Sequence, residues 1–147
     1  MSNLLTPQET KDFKSVVEEQ YARVLINEEK KTIICELLKD YVPIEDFKVI
    51  FYQISDIVKE GDYTKFIFDK RSLRAFHQPT MEWYFIHWKK EMLQYGVTKH
   101  RKILPPEKWF EKMVQIAKSQ ILQNYPSNII DQLDIQYCDS IEEAIAK

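Results

Sequence analysis

A carboxylate, a hydroxyl and an imidazole fall close together at Asp69, Ser72 and His77. Those are the residue types that acyl-transfer chemistry uses. A serine nucleophile also needs a sharp glycine-flanked elbow and an oxyanion hole. The sequence holds only two glycines, Gly61 and Gly96, and neither flanks Ser72. The same scarcity excludes a phosphate-cradling P-loop or a dinucleotide-binding glycine motif. Catalytic residues are therefore not assigned, a non-catalytic protein is expected, and no cofactor is implied.

Cations are the stronger signal. Lys70, Arg71 and Arg74 follow Asp69, and Lys99-His100-Arg101-Lys102 forms a second run. Arginine forks bind phosphate or carboxylate, and a helix N-terminus favours an anion. Arg71, Arg74 and His77, just ahead of a helix opened by Gln78-Pro79-Thr80, are thus candidate ligand or anion contacts. The same residues also fit a solvated charged turn. If the two runs belong to neighbouring parallel strands, the second starts its strand where the first follows the end of its own. The expectation is that they lie at opposite ends of the sheet. His77, His87 and His100 show no metal-ligand spacing with each other or with Cys or Asp, so no metal is expected.

These residues must be positioned by the surrounding elements. Thr6-Pro7-Gln8-Glu9 fits a capping box and predicts a short helix to about Lys14. Residues 15–20 can end that helix or begin a strand. Residues 21–26 and 32–38 read as a hairpin across Asn27-Glu28-Glu29-Lys30. Pro43 opens a helix whose stripe is Ile44, Phe47, Phe51, Ile54 and Val58, with Gly61 as its stop. Thr64 to Asp69 is a short apolar strand. A long aromatic helix runs from Gln78 to Tyr95, with Met81, Tyr84, Phe85, Trp88, Met92 and Tyr95 on its core face and Gly96 as its stop. Trp83 and Ile86 fall off that face and predict either a neighbouring helix or a partner surface.

Residues 97–104 form the cationic strand, broken by Pro105-Pro106. A third helix, Glu107 to about Asn124, has Phe110, Met113, Ala117 and Ile121 inward. Pro126-Ser127-Asn128 reads as a loop, and Leu133 to Cys138 as a last strand. A second capping box, Ser140-Ile141-Glu142-Glu143, opens a short helix. The order is ββαβαβαβα, an α/β fold with a mixed, mostly parallel sheet and one antiparallel hairpin strand. Residues 1–20 read as an N-terminal helix or extension and residues 21–147 as a single domain.

Composition agrees with a globular chain of 147 residues, 44% apolar and 30% charged. Its 21 basic and 23 acidic residues give a net charge of −2, which argues against a general nucleic-acid binder. Cys35 and Cys138 belong to no Cys-x-x-Cys pair and are expected as buried thiols in a reducing cytoplasm. The first residues lack the basic and apolar pattern of a signal peptide, and no segment is apolar enough for a membrane span.

The stretches Lys65-Phe66-Ile67-Phe68-Asp69, Gln78-Pro79-Thr80-Met81-Glu82-Trp83, Tyr95-Gly96-Val97 before Pro105, and Ile135-Gln136-Tyr137-Cys138-Asp139-Ser140-Ile141-Glu142-Glu143-Ala144, in this element order, resemble the STAS domains. Within them they are more similar to the bacterial SpoIIAA-like, anti-sigma-factor-antagonist-like proteins. The resemblance covers residues 21–147. It implies a bacterial regulatory module that binds a protein partner. In such antagonists a serine or threonine at the start of the helix after the third strand is phosphorylated, within an Asp-Ser-Ser-Gly-like motif. Here Phe76-His77-Gln78-Pro79-Thr80 lacks that motif, and Thr80 alone stands near the position as a phosphoacceptor candidate. A second implied class is a carrier or sensor of a small anionic or lipid ligand. Trp83 and Ile86 are the candidate surface for a partner or a homodimer.

Overall fold

The computed structural model describes residues 5–125 and 131–147. Its centre is a six-stranded sheet in the order β1-β2-β3-β4-β5-β6, the order of the chain itself. The strands are β1 (Lys14–Glu18), β2 (Ala22–Asn27), β3 (Thr32–Leu37), β4 (Lys65–Asp69), β5 (Lys99–Ile103) and β6 (Asp134–Tyr137). β1, β2 and β3 are antiparallel, and β3 through β6 run parallel. Parallel neighbours need crossovers. These are α1 (Ile44–Glu60), a composite helix, and α4 (Lys108–Asn124). The composite helix comprises α2 (Gln78–Trp83), a π-helical turn (Tyr84–Trp88) and α3 (Lys89–Leu93), and α5 (Ile141–Ala146) comes after β6. The mixed α/β sheet expected from the hairpin and the strand–helix alternation is what forms. The loop expected at Pro126-Ser127-Asn128 lies outside the described residues. No helix among the described residues is long and apolar enough to cross a membrane.

The N-terminal region departs from expectation. The capping box does form: Glu9 N donates to Thr6 Oγ1 at 3.2 Å and Thr6 N to Glu9 Oε1 at 2.8 Å. It caps only a turn, and Lys14–Glu18 joins the sheet as an antiparallel edge strand. Free ladder groups on β2 outweigh weak helix propensity at Val16-Val17.

Two cores flank the sheet. Strand alternation sends Val24, Cys35, Leu37, Phe66 and Phe68 to the face covered by α1 and the composite helix. Leu25, Ile34, Ile67 and Ile103 face the other way, against Ile141 and Ala144 of α5 and Leu5. The inward stripe of α1 is Phe47, Phe51, Ile54 and Val58 as expected, extended by Ile50, whereas Ile44, expected inward, is only half-buried at the first turn. Gly61 is not a left-handed stop: its backbone is extended, and a Cβ there would collide with the Tyr63 ring. Gly96, at φ +92°, does take the left-handed conformation.

The composite helix is not continuous α-helix. The wider π turn, closed by Lys89 N donating to Tyr84 O, shifts the phase of the residues C-terminal to it. Tyr84, Phe85, Trp88 and Lys89 all face inward, whereas Tyr95, expected inward, is exposed. In α4, Val114 takes the inward place expected of Met113.

Candidate functional site

The cations of the two basic runs divide between the two faces of the sheet. On the α5 face the buried charges Glu36, Asp69 and Arg101 each have an opposite charge, and Lys65 is met by carbonyls. Arg71 grips Asp69 with Nε at 2.9 Å and Nη2 at 2.8 Å, and its own backbone N–H donates to the same carboxylate at 3.1 Å. Glu36 accepts from Leu5 N at 2.6 Å and pairs with Arg23 Nη2 at 3.0 Å. Burial raises the Glu36 carboxyl above its usual range, opposed by these two donors. Arg101 holds the Asp134 carboxylate at 3.0 Å and donates to the carbonyls of Asp134 and Lys147. Lys65 Nζ donates to the carbonyls of Ala144 and Ile145 at 3.0 and 2.7 Å, closing the end of α5. Charge-assisted contacts of this kind fix the edges of the fold.

The helix-covered face is different. Lys70 continues the alternation of Phe66 and Phe68, and His100 and Lys102 stand beside them because β4 and β5 pair Phe66 with His100 and Phe68 with Lys102. Lys89 comes down onto the same region from α3. The expectation that the two basic runs lie at opposite ends of the sheet is therefore wrong for Lys70 and Lys102. The strand is only five residues long, so its fourth residue already lies near the end of its neighbour. The four side chains are buried, and Lys89 and His100 are completely so. Their surroundings are aromatic. Lys89 Nζ lies 4.3 Å from the Phe85 ring centre, Lys102 Nζ 4.9 Å from the same ring, and Lys70 Nζ 5.2 Å from that of Phe68.

Among the described residues no carboxylate pairs with these lysines. Lys89 Nζ and Tyr84 Oη are buried without a hydrogen-bonding oxygen. Lys89 Nζ and Lys102 Nζ lie over the same two rings, Tyr84 and Phe85, so each charge disfavours the other. Burial pulls Lys89 down to about 7. Burial first, then the Lys89 charge, takes Lys102 well below the usual lysine range. Lys70 falls likewise, through burial and then Lys102. Burial also holds His100 neutral, reinforced by Lys89 and Lys102. Aromatic ring faces attract a cation, but they do not replace a counter-ion.

One of these lysines reaches a pocket. At the C-terminal edge of β3 and β4, a space of about 60 Å³ lies between α1, α2 and α4. Leu37, Phe47, Phe68, Tyr84, Phe110 and Val114 make most of its wall, and Lys70, His77 and Thr80 are its polar members. The Lys70 turn is held by Lys70 N on Ile103 O at 2.8 Å and Arg74 N on Asp40 O at 2.8 Å. His77 Nδ1 and Thr80 Oγ1 are hydrogen-bonded at 2.7 Å.

The candidate contacts read from the sequence separate here. His77 and Thr80 line this pocket. Arg71 turns to Asp69 and lines a second hollow with Pro105, Tyr137 and Asp139. Arg74 donates to the carbonyls of Arg71 and Leu73 and pairs with Glu107 at 2.8 Å. Arg71, Arg74 and His77 thus do not converge. Lys70 was visible as a cation but not as the inward one, and alternation carried past the strand end would have picked it out. Trp83 packs edge-on against Phe47, Phe51 and Tyr52 of α1, the neighbouring-helix alternative, and Ile86 rests on the same core. Cys35 and Cys138 are both buried free thiols. Among the described residues no group of three His, Cys, Asp or Glu is placed to hold a metal.

Comparison of the chain with protein families, curated proteins and solved structures found no match.

Proposed function

We propose that the chain is a non-catalytic STAS-like module that takes a small, mainly apolar ligand in the pocket beside Lys70, as a carrier or sensor. The observation that carries this reading is an apolar pocket at the C-terminal edge of a parallel sheet, walled in part by the Lys70 amine, which no carboxylate among the described residues pairs with, and by the buried, unpartnered Tyr84 hydroxyl. Ligands of open α/β sheets gather at that edge, and a buried polar group without a partner is costly unless something else satisfies it. About 60 Å³ admits several heavy atoms, since one water needs roughly 10–15 Å³ on this measure. The element order from the β2–β3 hairpin to α5 supports the STAS likeness. Thr80, at the pocket wall and bonded to His77, stands where that likeness would put a phosphoacceptor.

Native mass spectrometry of the purified protein tests the reading. The expected result is a small-molecule adduct that disappears when Ala75→Phe fills the pocket. Saturation-transfer NMR with benzyl alcohol supplies the independent arm. An unliganded mass together with no transfer to benzyl alcohol overturns the proposal.

One observation favours the protein-binding alternative. Trp109, Met113 and Ile116 are 46%, 41% and 55% exposed along the outer side of α4, a spacing that makes one stripe. Flanked by Glu111 and Lys112, it suits an antiparallel second copy. Sedimentation of the wild type and of Ile116→Asp checks this: a dimer lost on substitution supports it, and a monomer in both removes it.

A further inference from the structure

We propose that Lys70 is a carbonyl-capturing amine, so that the pocket's ligand is an aldehyde or small ketone with an apolar body, held as a Schiff base on Nζ. This rests on the small-ligand reading above and adds the ligand's reactive group.

Lys70 and Tyr84 both border the pocket, 8% and 3% exposed. Among the described residues the Tyr84 hydroxyl is buried without a partner, and the Lys70 amine sits over the Phe68 ring, 5.2 Å from its centre. The pair supplies what a carbonyl needs: an amine for the carbon and an O–H donor for the oxygen. Burial first, and then the charge of Lys102, disfavour the ammonium form of Lys70. An amine kept neutral in an apolar site is the usual form of a Schiff-base lysine. A carboxylate ligand would instead require Lys70 to gain a proton against that burial.

The step balances without an oxidant or reductant. The Nζ lone pair adds to the carbonyl carbon, and the oxygen takes up a proton to give a carbinolamine. The C–O bond then breaks, the oxygen leaves as water, and Nζ loses its remaining protons to give the neutral imine. Amine and carbonyl become imine and one water. Tyr84 Oη donates to the oxygen during addition. It needs no net loss of its proton, consistent with burial holding that hydroxyl protonated.

The experiment treats the whole protein with benzaldehyde and cyanoborohydride at pH 7 and maps the benzylated lysines by peptide mass spectrometry. An exposed lysine is only about 0.04% neutral at that pH. A pocket amine lowered below the usual lysine range carries a larger neutral fraction and reacts correspondingly faster per residue by the same proton equilibrium. The expected result is a Lys70 adduct well above those at exposed Lys39 and Lys90, suppressed by benzyl alcohol and by Ala75→Phe. In Lys70→Arg, with its fold checked by circular dichroism, the selective adduct is absent. Benzyl alcohol binding without selective trapping overturns the carbonyl inference and leaves the small-ligand reading standing. Selective trapping at Lys89 or Lys102 instead of Lys70 also overturns it. Failure of both benzyl alcohol and benzaldehyde to bind brings down the small-ligand reading with it.

Discussion

The two faces of the sheet handle buried charge in opposite ways. Beneath α5, Glu36, Asp69 and Arg101 are each about 1% exposed, and each is met by an opposite charge. Under the crossover helices, Lys89 and Lys102 are equally buried and are met by aromatic rings and by each other. A paired buried charge fixes geometry but is weak evidence of function. An unpaired one costs stability without fixing anything, and persists where the site has another use for it. The contrast assigns architecture to one face and the candidate site to the other.

The largest expected effect breaks the paired face. Asp69→Ala removes a buried carboxylate that accepts two side-chain bonds and one backbone bond from Arg71, and should destabilise by about 3–5 kcal/mol, read as a lowered urea midpoint. A loss below about 1 kcal/mol would place this pair with ordinary surface bridges and erase the contrast. The next effect has the opposite sign. Lys89→Met keeps the unbranched stem and removes a buried, unsatisfied amine, and should stabilise by about 1–3 kcal/mol. Lys102→Met, which removes the like charge beside it, should do the same. Because each relieves the other's repulsion, the double variant should gain less than the sum of the two. Destabilisation by both single variants would show that these amines have counter-charges after all.

The same contrast explains what could be read from the sequence. The hairpin, α1, β4 and α4 announce themselves because their apolar spacing matches a helical or strand period, and their ends carry proline or a turn. Tertiary pairing decided β1, where Val16-Val17 fits either state until β2 offers an edge. The π turn left no periodic signal, so Tyr95 was assigned to a face that the extra residue rotates away. The site was legible only in part. His77 and Thr80 were marked by their place at a strand-to-helix junction, whereas Arg71 and Arg74 found partners, Asp69 and Glu107, that adjacency in sequence does not rank. Lys70, Lys89 and Lys102 looked like surface charges, because lysine is almost never fully buried. The register Phe68↔Lys102 brings Lys70 and Lys102 together, and the π turn directs Lys89 inward beside them.

The smallest expected effect is a slope with pH, and its sign separates the two faces. Lys89 titrates at about 7 in the folded chain and near 10.4 when unfolded. Between those values the unfolded chain binds more protons, so stability rises with pH, by at most about 1.4 kcal/mol per unit for one group. His100, held neutral below its usual range, adds a rise of the same sign up to about pH 6.5. Cys35 and Tyr84, both raised, oppose the trend once their unfolded counterparts ionise, from about pH 8.5 upward. The clean window is therefore pH 7 to 8.5, monitored by urea unfolding at constant ionic strength. Glu36, raised by burial, contributes a fall with pH, confined to the acid side of that window where carboxyls titrate. Within the window the wild type should gain stability, with Lys70 and Lys102, lowered likewise, adding slopes of the same sign; Lys89→Met should reduce the slope without abolishing it. Asp69→Ala should lower the whole curve and leave its slope intact. A flat wild-type profile would mean that Lys89 keeps its proton in the fold, and that an anion near it balances the charge.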